Sequence, residues 1–425
     1  MKPTRRAVLA GAAATAATTA LAACGGGDDG GESKNADGKI ELTVATFNEF
    51  GYEDLFTQYM KDNPDVVIKA KKAATSDDAR KNLMTGLAAG KGLADIEAVE
   101  VGWWAELSQY AAKFEDLSSD AVKDRWVDWK TEAATVDGKL LGYGTDIGPE
   151  GIAYRSDLFA KAGLPTDREE VATLLTGDWD TYFEIGKEFV AKAGIPWYDS
   201  AGGTYNGMVQ QLKNPYEKDA STPIALKDNT DVKGIYDKLA EHKDLSAGLG
   251  QWSEDWVAGF QNDGFATMLC PPWMTGPIEG NAEGVTGWDV ANVFPGGGGN
   301  WGGSYLTVPS QGKNVEAAKK LGEWLTAPEQ QIVAFKAKGT FPSQKKALES
   351  DEITSQTNEF FNNAPVGQIF SDRAKAVEFQ PFVGPKFYVI NTVVADAITR
   401  FDVDGKDAAA SWDQALTAYD ELDLS

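Results

Sequence analysis

From residue 40 onward the chain alternates strand-like and helix-like apolar patterns, and this limits its fold more than any single motif does. Ile40-Glu-Leu-Thr-Val-Ala-Thr-Phe47 reads as a strand, being rich in β-branched and aromatic residues. Tyr52, Leu55, Phe56, Tyr59 and Met60 then recur at helical spacing until Pro64 stops the pattern. Val66–Ala70 reads as a second strand, Asp77–Ala89 as a second helix and Asp95–Val99 as a third strand. Strands separated in this way by helices form a mostly parallel sheet covered on both faces. Such sheets take ligands beyond the carboxyl ends of their strands. Asn48, Glu49 and Phe50 follow the first strand, and Glu100, Trp103 and Trp104 follow the third, so both loops are candidates to line a cleft.

Further along, Val136-Asp-Gly-Lys-Leu-Leu-Gly-Tyr143 carries a hairpin signal at Asp137-Gly138. The run from Gly144 to Gly151 is rich in Gly and Pro, and Ile152–Arg155 starts another strand. Helices are predicted near 156–162, 179–193 and 230–241, and again over 315–326 and in the C-terminal part. The glycine runs Gly296–Gly299 and Gly302-Gly303 precede a strand at Ser304–Val308. No fixed-period repeat occurs, which argues against a solenoid. A length of 425 residues fits two or three domains.

Composition removes several function classes. With 40 Lys+Arg against 64 Asp+Glu, the net charge of −24 argues against a nucleic-acid partner, which needs clustered cations. His242 is the only histidine, which argues against a Ser-His-Asp triad and rules out a multi-His metal centre. Gly296–Gly299 lacks the Lys-Ser/Thr of a phosphate-binding loop. Asp402-Val-Asp404-Gly405-Lys-Asp407 places Gly at the fourth rather than the sixth position of a calcium loop, so it reads as an interhelical turn. His242, between Glu241 and Lys243, reads as a solvated helix residue. No cofactor or metal is expected.

The N-terminus reads as an address. Lys2, Arg5 and Arg6 precede an apolar stretch from Ala7 to Ala23, the layout of a secretory signal over residues 1–23. A membrane span is the competing reading, but the stretch is short and Thr-rich. Leu21-Ala-Ala-Cys24 resembles the bacterial lipobox, which implies diacylation (palmitate) at Cys24. Thr4-Arg5-Arg6-Ala7-Val8-Leu9 weakly resembles a twin-arginine export signal, and the general secretion route stays open. Residues 24–39, Gly-, Asp- and Ser-rich, read as a flexible tether. An exported chain held by lipid on the outer face of the cytoplasmic membrane is the expectation.

Five strings, taken in order, carry a family resemblance. They are Val136–Tyr143, Ala153-Tyr-Arg-Ser-Asp-Leu-Phe-Ala-Lys-Ala-Gly-Leu-Pro165, Asp178-Trp-Asp-Thr-Tyr-Phe183, Met268-Leu-Cys-Pro-Pro-Trp-Met274, and Ala317-Ala-Lys-Lys-Leu-Gly-Glu-Trp-Leu-Thr-Ala-Pro-Glu-Gln330. Together they resemble the extracellular solute-binding proteins of carbohydrate-importing ABC transporters, the maltose-binding-protein-like group. The departure is Cys270-Pro-Pro-Trp273, where members more often have Gly before Pro-Trp. The resemblance implies an α/β, two-lobed, hinged, periplasmic-binding-protein-like fold, each lobe a mostly parallel sheet flanked by helices. String order puts the N-terminal lobe at 40–146 and 302–340, and the C-terminal lobe at 147–301 and 341–425. The crossings then fall near Asp146–Gly151, Pro295–Gly303 and Phe341–Ser343, two of them glycine-rich. The implied partners are an oligosaccharide, two membrane permease subunits and a cytoplasmic ATPase, with the chain itself a monomer.

A sugar ring offers C–H faces to aromatic rings and hydroxyls to carboxylates and amides. Trp103 and Trp104 follow a strand, but neighbours diverge, so one of the two is expected to face the ligand. Trp273 is braced by Pro271 and Pro272, Trp301 sits in a glycine run, and Phe387 or Tyr388 matches the family's C-terminal aromatic roughly. Polar candidates are Asn48, Glu49, Glu100, Asp146 and Asn206, with Tyr205 beside the last and Glu150 a weaker one. A rival reading is an anchored extracellular glycoside hydrolase, since acids beside Trp also serve sugar cleavage. No acid/nucleophile pair stands out, and the resemblance points to binding without turnover. Phe294–Ser304 and Arg373-Ala-Lys-Ala-Val377 look like strings of cellobiose and cello-oligosaccharide binders. Malto-, chito- and xylo-oligosaccharides are the alternatives.

Overall fold

In the computed structural model, which describes residues 33–424, the first strand β1 (Ile40–Phe47) buries Ile40, Leu42, Val44 and Phe47. The signal, Cys24 and most of the tether lie outside the described residues. β2 (Val66–Ala73) and β3 (Ile96–Glu100) flank β1 on either side, both parallel to it. The helices between them, Glu53–Asp62 and Ser76–Ala89, follow the predicted spacing. Leu55 and Tyr59 of the first and Leu83 and Leu87 of the second join the core of this sheet. β4 (Thr135–Val136) and β5 (Lys139–Leu140) are the hairpin predicted at Asp137-Gly138, whose φ values are both positive as a tight turn requires. β6 (Tyr143–Gly144) follows directly.

Beyond it come β7 (Gly151–Arg155), a second small hairpin of β8 (Glu217–Asp219) and β9 (Thr222–Pro223), then β10 (Thr267–Cys270), β11 (Trp288–Ala291) and β12 (Ser304–Thr307). The larger sheet runs β2-β1-β3-β12-β6, so the late strand β12 returns to sit between β3 and β6, antiparallel to both. The smaller sheet runs β10-β7-β11. Here the expectation of a mostly parallel sheet is corrected: Leu269 pairs with Ile152 and Val290 with Ala153, both antiparallel. The reason is direction. β7 leads away from the strands that link the two sheets, whereas β10 and β11 lead back toward them. Helices Ser156–Lys161, Trp179–Ala193, Thr230–Glu241 and Phe387–Asp402 surround the smaller sheet, and their apolar faces share one core with it.

His242 is not solvated as the sequence reading had it. It is 6 % exposed, its ring centroid lies 4.5 Å from that of Phe183, and Nδ1 is 3.1 Å from the Lys238 carbonyl oxygen. Asp402 accepts the Ala201 amide, and Asp407 caps helix Ala408–Glu421 by accepting the Ala410 amide at 2.8 Å, both structural duties within an interhelical turn. At the edge of the larger sheet, β2 turns Lys69, Lys71 and Lys72 to solvent, and Lys69 pairs with Glu41 at 2.7 Å. Among the described residues no helix is long and apolar enough to cross a membrane.

Three segments run side by side between the sheets. The central one, Thr145–Glu150, bonds on one flank to Gly299–Ser304: Trp301 N to Gly148 O at 2.8 Å, Glu150 N to Gly299 O at 3.0 Å, Thr145 N to Ser304 O at 2.9 Å. On the other flank it bonds to Phe341–Ser343, with Ile147 N to Phe341 O at 2.9 Å and Ser343 N to Thr145 O at 3.1 Å. Asn300 Nδ2 donates to Gly302 O while its Oδ1 accepts the Gly148 amide at 2.8 Å, locking the turn. Two glycines are dictated by sterics. A Cβ on Gly148 would lie 1.9 Å from the Trp301 carbonyl oxygen, and Gly303 has φ +107° with the Asp146 carbonyl 2.6 Å from where a Cβ would stand. Gly148→Ala is therefore expected to lower unfolding free energy by about 1–3 kcal/mol through forced separation of the two strands, read by urea titration.

Candidate functional site

A cleft of about 930 Å³ opens between the two sheets. Its first wall comes from the carboxyl end of β3, where Glu100, Trp103 and Trp104 sit, together with Arg80 from helix Ser76–Ala89 and Trp129 from helix Asp128–Ala133. Asn206 and Gln210, near the end of helix Ala201–Val209, and the segment Phe379–Thr392 form the opposite wall. Trp301, on one of the linking strands, closes the floor. Strand ends feeding a crevice between two sheets are where α/β folds place ligands. A second cavity, about 670 Å³, lies under helix Ser76–Ala89 and carries no aromatic ring, so it lacks the stacking surface a sugar needs.

Glu100 is the central acid of the cleft. It accepts the Gly102 amide at 2.7 Å and the Tyr388 hydroxyl at 3.2 Å. Burial pushes its carboxyl up to about 7, against the pull of those two hydrogen bonds and of nearby Lys130. Lys130 is almost fully buried, donates to the Asp146 carbonyl at 2.8 Å and sits 3.8 Å from the Tyr305 ring centroid. Burial draws its ammonium down to about 7, partly opposed by the charges of Asp146 and Glu100. Tyr388 bridges the walls: its hydroxyl reaches Glu100, and the Arg80 guanidinium lies 5.2 Å from its ring centroid. Arg80 is itself held by Glu106 through Nε at 3.0 Å. The ring of Tyr388 packs against both apolar cores.

Of the residues singled out from the sequence, Glu100, Trp103, Trp104, Asn206, Trp301, Phe387 and Tyr388 meet in this cleft. Trp103 and Trp104 both belong to the lining, though each is at most 5 % exposed. They diverge behind the wall, Trp103 toward Phe47 at 5.3 Å and Trp104 toward Tyr305 at 5.0 Å between centroids. The others lie elsewhere. Asn48 is exposed at φ +47°, and Glu49 is a surface acid paired with Lys72 and with Lys338 at 3.4 Å, which hold its carboxyl below the usual range. Phe50 is core, edge-on to Phe47. The loop after β1 thus turns away from the cleft, because its aromatic is drawn into the apolar core and its acid onto lysines. Asp146 belongs to the linking strands, accepting from Thr145 Oγ1 at 2.8 Å and Ser304 N at 3.0 Å. Tyr205 is buried and hydrogen-bonded to Tyr216, which in turn donates to Asn391 on the cleft wall at 2.8 Å. Trp273 stands behind Trp301: its Nε1 donates to the Trp301 carbonyl at 2.9 Å, and the rings meet edge to face at 5.2 Å.

Sequence reasoning missed Arg80 and the segment Phe379-Gln380-Pro381-Phe382. The latter carries the signal already used for Trp273, aromatics braced by Pro. Arg80 lies on the second turn of a helix that follows a strand of the larger sheet, where a side chain can reach the crevice. Glu150 is fully buried near Cys270 and Phe294, with neither carboxyl oxygen hydrogen-bonded, and burial alone pushes it up to about 8. Because its folded value lies above the unfolded one, its contribution to stability is complete below about 4.5 and is lost as pH rises through 8. Glu150→Gln should therefore gain about 5 kcal/mol over the parent at pH 9 and none at pH 4, read by guanidinium unfolding at the two pH values.

Comparison with known proteins places this geometry. The family model described as bacterial extracellular solute-binding protein matches residues 54–362. The arabinooligosaccharide-binding protein of Bacillus subtilis (strain 168) is 29 % identical over 311 residues, 68 % of this chain and 70 % of its own length. A crystal structure of an extracellular solute-binding protein family 1 member superposes with TM-score 0.86 at 49 % identity, over 90 % of this chain and 99 % of the other. The ABC transporter associated binding protein from B. animalis subsp. lactis Bl-04, in complex with β-1,6-galactobiose, shares the fold at TM-score 0.69 and 21 % identity, over 90 % and 96 % of the two chains.

Proposed function

The chain belongs to the bacterial extracellular solute-binding protein family, and from that premise we propose that it captures an oligosaccharide for an ABC importer, closing two lobes on it without breaking a bond. We take the lobes as 40–146 with 302–340 and 147–301 with 341–425, hinged at the three linking strands. Signal removal, lipidation of Cys24 and delivery as a monomer to two permease subunits and their ATPase complete the proposed cycle. The observation that carries the reading is the composition of the cleft. It pairs partly exposed rings, Trp301, Phe379, Phe382 and Tyr388, with an acid and three amides, Glu100, Asn206, Gln380 and Asn391. Rings receive the C–H faces of a pyranose, and the polar groups receive its hydroxyls. Glu100 is held by the Gly102 amide and the Tyr388 hydroxyl, and the family is one of binding proteins, which supports capture over glycoside cleavage.

Closure follows from contacts that neither lobe makes alone. A ligand bound to both walls stabilises the closed state by its differential affinity and by nothing else. Tyr388, Glu100 and Arg80 already touch across the cleft, so a sugar hydroxyl inserted among them exchanges one hydrogen bond for another at little cost.

Cellobiose or a longer cello-oligosaccharide is our preferred ligand, on the strings Phe294–Ser304 and Arg373–Val377. Arabino-oligosaccharides are the second reading, favoured by the Bacillus subtilis relative. A thermal-shift panel of cello-, arabino-, galacto- and malto-oligosaccharides tests this. A rise in melting temperature with one oligosaccharide series and none with its monosaccharide is expected, and a flat response across the panel defeats the proposal. Trp301→Ala is expected to weaken binding of the panel's best ligand by more than about 1 kcal/mol in calorimetry, through loss of a stacking face.

A further inference from the structure

Lys71 of β2, Ala45 of β1 and Glu97 of β3 stand abreast in the register of the larger sheet, on one face, and the oligosaccharide cleft uses none of them. Neighbouring strands lie about 4.8 Å apart, so about 10 Å separates the backbones of the lysine and the acid, with a single methyl group between. Among the described residues, no ion pair forms on either side chain. Helix Ser76–Ala89 roofs this row without filling the space above it. A cavity of about 670 Å³ remains there, within the size range of small-molecule pockets.

Glu97 lines this cavity and is only 9 % exposed. Among the described residues, one hydrogen bond reaches its carboxyl, from the Ala94 amide to Oε1 at 2.7 Å, so Oε2 is left without a donor. Burial pushes this carboxyl up, against the pull of that amide and of the Lys71 charge. A nearly buried acceptor that opens on a cavity is served by a donor arriving there. Lys71 and Lys91 also line the cavity and are exposed, with no acid paired to either among the described residues, whereas Lys72 is held by Glu49. In a chain of net charge −24, two unpaired ammonium groups beside one cavity suit an anion. We propose that the cavity binds a small organic carboxylate that also carries a hydroxyl or ammonium group, its carboxylate on Lys71 and Lys91 and its donor on Glu97. Leu93 and Ala73 offer apolar wall to the carbon chain between. An inorganic anion would serve the lysines but set a negative charge against Glu97. The site is separate from the cleft: Arg80 of the roofing helix lines the cleft, while Ala79 and Asn82 line the cavity.

Calorimetry with malate, aspartate, succinate and inorganic phosphate tests the proposal. The three acids share a four-carbon dicarboxylate frame and differ only in bearing a hydroxyl, an ammonium or a hydrogen on the second carbon. Malate or aspartate is expected to bind the parent about tenfold more tightly than succinate or phosphate, since only they bring a donor to Glu97. Replacing both lysines, Lys71→Met with Lys91→Met, is expected to weaken the better acid by about tenfold or more while leaving the unliganded melting temperature unchanged, as both side chains are exposed. Glu97→Met, which keeps the length of the side chain and removes its acceptor, should bring that acid down to the affinity of succinate. Lys213→Met, in the cleft, should leave acid binding as it was. No binding of malate or aspartate overturns the proposal, and so does succinate or phosphate binding as tightly as they do. A loss that follows Lys213→Met rather than the paired lysine replacement moves the acid to the cleft and overturns it as well.

Discussion

The carbonyl of Trp301 occupies the place where any side chain on residue 148 would have to stand. That one steric fact lets two linking strands approach to hydrogen-bonding distance, and the third strand then completes a narrow ribbon between the two sheets. Everything at the cleft depends on it. The ribbon sets Trp301 on the floor, turns the Asp146 carbonyl onto Lys130, and directs β12 back into the larger sheet beside β3. Its register is set by hydrogen bonds between backbone groups of the three segments.

The buried charges cluster at the same place. Glu100 and Lys130 are pushed toward neutrality in opposite directions by the same loss of water, and each charge eases the other's burial. Around them, hydrogen bonds to backbone atoms replace solvation: the Gly102 amide for the acid, the Asp146 carbonyl for the ammonium. The acid is thereby pre-positioned at the cleft wall without being neutralised by a salt bridge. Such a group retains acceptor capacity for a hydroxyl donor arriving from the cleft.

Much of the architecture was legible because periodicity acts locally. Helices Trp179–Ala193 and Thr230–Glu241 stand where their apolar spacing put them, and β1 to β3 alternate with helices as read. Strand direction in the smaller sheet was not legible, since it depends on partners more than a hundred residues apart in sequence, such as Ile152 and Leu269. At the site, residues at the end of β3 were legible from the rule that places ligands there. The loop after β1 satisfied the same rule and failed, because Phe50 had a core to enter and Glu49 had lysines to meet. A strand end says where a loop begins, not which way competing contacts pull it. Trp273, read as braced by its prolines, points its indole nitrogen at the Trp301 carbonyl, behind that ring rather than in the cleft lining.

The lysine-bearing edge of the larger sheet has a bearing on how the chain behaves when crowded. A neighbouring copy that tried to add a strand along β2 would have to strip water from Lys69, Lys71 and Lys72 and break the Lys69–Glu41 pair before gaining any backbone bond. The outermost strand is thus insulated from edge-to-edge polymerisation by its own ammonium groups. A sheet that must stay open at one side can persist at high local density as separate molecules.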